Sequence, residues 1–241
     1  RRLLRERPWC GRVTIVDAPV NRGLAASITG GVTDIVQRYG RAIVLEDALV
    51  TSPGFLSYMN HALHVYENEP EVMHVAGYSP PLAGSLPPTY LYRNTTCWGW
   101  GTWARAWKHY HSDAAHLWSE LRRRGLLYRF NLDGSYPSTD QLFGNIDGSL
   151  ETWAIKWYAS VMLAGGLCLH PHPSLVQNIG TDNSGTHIGA TNKYSIAHLA
   201  TSIEVEPICP VAESRAAASA IQRFNLDAHP GMIGVLAGRL R

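Results

Sequence analysis

Apolar positions along the chain recur at two spacings, and the switches between them outline a succession of strands and helices. Val13 to Val16 form a short apolar run suited to a buried strand. From Asn21 to Arg38, Leu24, Ile28, Val32 and Ile35 fall at helical spacing, and Ala42 to Leu45 then read as a second strand after Gly40. Strand, helix and strand within about thirty residues make a βαβ unit, which predicts a parallel sheet with a right-handed crossover. Ligands of such sheets gather beyond the carboxyl ends of the strands, where Asp17 and the pair Glu46 and Asp47 fall.

Ser52 is placed to cap a further helix with Pro53 at its first position, and Leu56, Met59, Leu63 and Tyr66 give that helix one apolar stripe. Val72 to Ala76 read as a strand, the proline-rich segment 79–88 as a loop, and Tyr90 to Arg93 as another strand. Trp103 and Trp107 lie one helical turn apart, so a helix is expected after Gly101. Leu150, Trp153, Trp157 and Val161 repeat that spacing up to the pair Gly165 and Gly166. Leu167 to Leu169 and Leu175 to Val176 follow as short strands, then a glycine-rich loop over 180–189, then one or two helices from Ala212 to Arg241. The predicted class is α/β, with a mainly parallel mixed sheet flanked by helices. Residues 1–200 are assigned to that domain and 201–241 to a helical extension.

Composition narrows the function classes. With 241 residues, 45% of them hydrophobic, the chain can bury a substantial core. A net charge of +2 supplies no field for nucleic acid, and no run of about 18 apolar residues offers a membrane span. Arg1, Arg2, Arg5 and Arg7, and again Arg122, Arg123 and Arg124, read as solvated helix faces. Cys10, Cys97, Cys168 and Cys209 are too dispersed for a zinc motif and, sitting mostly in apolar settings, read as buried thiols of a cytosolic protein. The opening RRLLRERPW reads as the tail of a helix with no strand before it and no signal peptide, which predicts a fragment lacking its true beginning.

Four stretches offer chemistry, each beside a plain structural alternative. Glu46 and Asp47 are either loop acids at a sheet edge or hard oxygen ligands for a divalent cation. Trp98 and Trp100, flanked by Gly99 and Gly101, either pack in a core or present flat rings to a sugar or base, whereas Trp103 and Trp107 read as core. Glu151, expected at the first turn of a helix, is either a dipole-stabilised surface acid or a general base. The loop from Gln177 to His187 could wrap phosphate oxygens. His61 with His64, and His170 with His172, have metal-like spacing without a third ligand nearby in the sequence.

Taken in order, these segments resemble the GT-A class of bacterial sugar transferases, the glycosyltransferase family 2-like group with relatives built like N-acetylglucosaminyltransferase I. The matching residues are Asn21, Arg22, Gly23 and Leu24; Glu46, Asp47 and Ala48; Cys97, Trp98, Gly99 and Trp100; Glu151, Thr152 and Trp153; and Gly185, Thr186 and His187. The resemblance spans about Arg12 to Gly189. It implies a partial GT-A domain over 1–200 that transfers a sugar from a nucleotide donor, with uridine diphosphate as the expected carrier, to a glycan or other hydroxyl acceptor. Inversion at the anomeric carbon follows from a single base. Asn21, Gly23, Leu24, Glu46 and Asp47 would face the donor, and Trp98, Gly99, Trp100 and Trp153 would line a sugar or acceptor pocket. Ser184, Gly185 and Thr186 would form the phosphate loop, Asp47 and His187 would meet a Mn or Mg ion, and Glu151 would be the base. It also implies cell-surface polysaccharide or glycan synthesis, in the cytoplasm or at the inner face of the cell membrane.

One position departs from the family pattern. The last acid of the family's acidic motif coordinates the metal, and Ala48 stands there with no ligand atom. The resemblance therefore implies weakened metal binding, and a chain lacking its first strand implies weak nucleotide binding. Two rival readings are a carbohydrate or nucleotide-sugar binding module without turnover and, ranked below it, a nucleotidyl-transfer enzyme on a similar sheet.

Overall fold

The computed structural model describes residues 6, 10–180 and 191–228. Strands β1 (Arg41–Val44), β3 (Val72–Ala76), β4 (Thr89–Tyr92), β5 (Trp100–Trp103) and β6 (Leu167–Pro171) form a five-stranded sheet in the order β1-β5-β3-β6-β4. A two-stranded ribbon pairs β2 (Leu49–Thr51) with β7 (Val176–Asn178). The helices are α1 (Leu24–Tyr39), α2 (Phe55–Val65), α3 (Ala104–Trp107), α4 (Ala114–Arg123), α5 (Leu127–Phe130), α6 (Ser138–Asp147), α7 (Ala154–Leu163) and α8 (Arg215–Ala228). None of the described helices is long and apolar enough to cross a membrane.

The class is α/β with a mixed sheet, but the expected preponderance of parallel pairs is corrected by the pairing. Only β3 and β6 run parallel; β1 with β5, β3 with β5, and β4 with β6 are antiparallel. A parallel neighbour needs a long crossover, commonly a helix. Here β3 leads to β4 and β4 to β5 through loops, and both β4 and β5 run against their neighbours. β1, β3 and β6 consequently share one direction and end on the same side of the sheet.

Alternation along the strands divides the core. Tyr90 and Tyr92 face a cluster with Leu117 and Leu121 of α4, Leu142 of α6, Tyr158 and Met162 of α7, and Ala217, Ala220 and Ile221 of α8. Leu91, between the two tyrosines, packs instead with Phe55, Met59 and Leu63 of α2 and with Val75 and Leu169. A third cluster joins Ala25, Val32 and Val36 of α1 to Trp100, Trp107, Trp153 and Trp157. α8, within the helical extension of 201–241, packs in the same core as β4.

Other expectations change with tertiary context. Val13 to Val16 form no strand, and Val13, Ile15 and Val16 are exposed, Val16 by 89%. An apolar run becomes a strand only where a neighbour takes its backbone groups, and among the described residues the outer side of the edge strand β1 has no such partner. Ser52 does not cap α2 with its side chain: Gly54 is the cap residue, and the Phe55 N–H donates to the Ser52 carbonyl over 3.1 Å. Trp103 closes β5, so the helix after it starts at Ala104. Glu151 lies in the loop before α7, whose cap is Trp153, and not in its first turn.

Candidate functional site

A cleft of about 680 Å³ opens on the side where β1, β3 and β6 end. The sequence candidates Leu24, Glu46, Trp98, Glu151 and Trp153 all line it, although they come from four separate stretches of the chain. Leu24 arrives on the first residue of α1. That helix starts after Gly23, whose φ of 77° suits glycine and whose N–H donates to Asn21 Oδ1 over 2.9 Å. Asn21 and Gly23 therefore shape the entry to α1 without being among the cleft-lining residues.

Glu46 follows β1 and is half-buried. Burial pushes its carboxyl above the usual range, the Trp153 side chain opposes that with a hydrogen bond, and the neighbouring Asp47 charge adds to the rise. Trp153 has only its indole N–H to donate. It stacks in turn on Trp100, centroids 5.1 Å apart at 26°. Trp100 is fully buried, also stacked on His74, and belongs to the core under the cleft rather than to its wall. Trp98, two residues earlier, does line the cleft and meets Tyr78 edge-on at 4.5 Å. Gly99 between them has φ 66°, and a Cβ there would press on Phe55 and Val176 at 3.1 Å. That left-handed turn lets the two rings part, one into the cleft and one into the core.

Glu151 is exposed at the cleft wall, on a loop held by a reciprocal clamp. The Thr152 N–H donates to Asn145 Oδ1, and Asn145 Nδ2 donates to Thr152 Oγ1, each over 2.9 Å. Cys97 also lines the cleft, but burial and the Glu46 carboxylate push its thiol well up, so it stays protonated and is no nucleophile. Asp47 is exposed beside Glu46 and is not among the lining residues. Ala48 closes a turn in the left-handed region, φ 57°, and its carbonyl accepts from the Ile179 N–H at 2.8 Å. Ser184, Gly185, Thr186 and His187 lie outside the described residues.

The remaining walls come from residues without a sequence signal of their own. Tyr136 and Gln141 reach in from the α5–α6 region, Tyr194 from the segment before α8, and Phe224 and Asn225 from α8. Among the described lining residues the only charged side chains are the carboxylates Glu46 and Glu151. No group of three or more His, Cys, Asp or Glu side chains able to hold a metal occurs among the described residues. The carboxylates of Glu46 and Asp47 are the right chemical type for Mg or Mn, which binds proteins through one or two carboxylates and completes its shell with phosphate and water. Compared with models of known protein families and with curated protein sequences, the chain matches none.

Proposed function

We propose that this chain is the sugar-transferring part of a glycosyltransferase that moves a sugar from a nucleotide-diphosphate donor to an acceptor hydroxyl, with inversion. The observation that carries this reading is the convergence of Leu24, Glu46, Trp98, Glu151 and Trp153 on one cleft. On this reading Glu151 takes the proton of the acceptor hydroxyl. The acceptor oxygen then bonds to the anomeric carbon, and the bond from that carbon to the diphosphate oxygen breaks with its electron pair leaving on the diphosphate. Glu46 accepts a hydrogen bond from a sugar hydroxyl, with Trp153 fixing its orientation, and Trp98 offers a ring face to the sugar. Asp47 would hold the Mn or Mg ion, which when bound neutralises charge on the leaving diphosphate. Ala48 leaves that end short of a ligand, and the phosphate-loop roles of Ser184, Gly185, Thr186 and His187 belong to the same proposal. The GT-A fold and a cytoplasmic setting at or near the inner membrane face belong to this proposal as well.

A second reading has its own observation. With two carboxylates and no lysine or arginine among its described lining residues, the cleft suits an uncharged saccharide better than a diphosphate, as a binding module without turnover would. The deciding experiment is Mn-dependent release of nucleoside diphosphate from a panel of nucleotide sugars, comparing the chain with Ala48→Asp and with Ala48→Asp carrying Glu151→Gln. Transfer is supported if Ala48→Asp turns over one donor and Glu151→Gln abolishes it. Saccharide binding with no turnover by any variant would replace it with the binding-module reading.

A further inference from the structure

The segment between β4 and β5 does not run around the sheet edge but crosses back over one face of the sheet, above β6 and β3. Its path is marked by its bonds: the Asn94 carbonyl meets His170 of β6, the Thr96 carbonyl meets His74 of β3, and Thr96 Oγ1 donates to the Tyr78 carbonyl beyond the end of β3. A chain crossing a buried face must find partners for its carbonyls. The two histidine rings supply them, each with its Nε2 3.0 Å from the carbonyl oxygen.

We propose that His74 and His170 are a pair of positioning residues whose Nε2–H groups clamp the 94–98 segment so that Cys97 and Trp98 line the cleft, a role that rests on reading the cleft as the binding site. The tautomer at His74 follows from geometry. Trp157 Nε1 can only donate, and it lies 3.0 Å from His74 Nδ1, so Nδ1 accepts and the proton resides on Nε2. Both rings are held flat against aromatic partners, His74 on Trp100 at 6° and His170 on Tyr90 at 10°. They lie on one face because β3 and β6 are in parallel register, with His74 opposite Cys168 and His170 two residues further along. Burial pushes His74 down to about 3 and His170 down to about 4, so both are neutral at physiological pH. The groups acting on the rings are the carbonyls of Thr96, Asn94 and Tyr78 and, on His74, the His170 ring; no carboxylate is among them.

A clamp of this kind differs from ordinary core packing in what its loss releases. Amide hydrogen exchange on the unliganded chain separates the two, and needs no knowledge of the substrate. His74→Leu and His170→Leu are each expected to speed exchange at residues 94–98 by about tenfold, the change that loss of one hydrogen bond brings. Amides of β3 and β6 should stay within about twofold, and His74→Gln or His170→Gln, whose amide can still donate, should restore the slow rate. Exchange rising equally in the strands, or unchanged at 94–98, would overturn the proposal. The wild-type chain gives a second test that no folding failure can spoil. Nitrogen-15 spectra of its histidines should show both rings as the Nε2–H tautomer, and an Nδ1–H tautomer at either would overturn it. Failure of turnover bears on the transferase reading alone, whereas failure of the exchange pattern bears on the clamp alone.

Discussion

Arg93, at the end of β4, gives the sharpest prediction about what holds the cleft's far wall. Its Nε and Nη2 donate to the two oxygens of Glu213 at 2.7 and 2.6 Å, and its Nη1 donates to Asp133 at 2.8 Å. Arg129 adds a bond to Glu213 at 3.0 Å, and Gln222 of α8 donates to Asp133 at 3.2 Å. Glu213 lies two residues before α8, and the Ser214 N–H donates to the Leu91 carbonyl of β4 over 2.9 Å. The network therefore ties three things together: the sheet, the α5–α6 turn and the helix that carries Phe224 and Asn225 into the cleft.

Arg93→Met removes the cation from between two carboxylates while preserving most of the side-chain volume. Breaking a buried ion pair costs about 3–5 kcal/mol. The Arg93 side chain is 8% exposed, but Asp133 and Glu213 keep 23% and 21% exposure and Arg129 remains, which places the expected loss near the lower end, about 3 kcal/mol. Glu213→Gln keeps one acceptor for Arg93 and forfeits a charge-assisted bond, an expected loss of about 2 kcal/mol. Burial raises the Glu213 carboxyl, but Arg93 and Arg129 outweigh it and hold the group below its ordinary value. A depressed carboxylate contributes stability that is full above its unfolded value, about 4.3, and is lost as pH falls through the folded value. The gap between wild type and Glu213→Gln should therefore be wide at pH 7 and narrow toward pH 3 in urea unfolding. An Arg93→Met loss under about 1 kcal/mol, or a gap equal at both pH values, would refute the energetic reasoning.

Three further changes test the site and its surroundings. Ala48→Gly should raise the melting temperature, because a residue with a Cβ in the left-handed region costs about 1 kcal/mol, and a lower melting temperature would contradict that turn. Glu46→Gln should stabilise the chain at neutral pH: burial raises the Glu46 carboxyl, so its contribution falls as pH rises through the folded value. Thermal unfolding should show that gain at pH 7 and its disappearance by pH 4, and a constant gain would count against it. Gly77→Ala would place a Cβ 2.5 Å from Phe55 Cε2 and 2.7 Å from the Gly99 carbonyl oxygen, an overpacking cost of about 2 kcal/mol readable by urea unfolding. A change below about 0.5 kcal/mol would show that the β3 end is looser than described.

Helix α1 was legible because its apolar spacing is long and regular, and half of the expected stripe faces the core: Val32 is buried and Ile28 packs against the same cluster. Ala25, Val32 and Val36 are buried while Leu24 and Ile35 are exposed, since a helix's buried side depends on the neighbour it meets. β3 was legible as a continuous buried run. The order of strands was not, because β5 enters between β1 and β3 through pairings that no local pattern specifies. Of the ribbon, β7 is expected in part, as the short strand at Leu175 to Val176, whereas β2 is not, because a three-residue strand of mixed polarity carries no period. Of the two glycine-flanked tryptophans, Trp98 and Trp100 looked alike in sequence, and only the turn at Gly99 and the start of β5 separate them. Glu46 was legible as the acid that follows a predicted strand, whereas Glu151 lies in the loop before α7 and not in the helical turn expected for it, and Tyr194, Phe224 and Asn225 reach the cleft only through the packing around α8.

The charges of the cleft bear on how a nucleotide sugar would lie, if transfer is the function. A diphosphate charge about 8 Å from a carboxylate, at an effective dielectric constant near 20, is repelled by about 2 kcal/mol per pair. Glu46 and Glu151 both contribute, and no cationic side chain among the described lining residues offsets them. The anionic end of a donor is thus driven toward the exposed turn of Asp47 and Ala48, where solvent screens the charge and a cation has room. The aromatic interior near Trp98, Tyr78 and Tyr194 is left for an uncharged ring. On the transferase reading, Ala48 at that turn would leave the cation that holds the diphosphate short of a ligand, while the aromatic interior is unaffected. Retained saccharide affinity beside feeble nucleotide affinity is the behaviour this asymmetry predicts, and a carboxylate at position 48 should restore the second without altering the first.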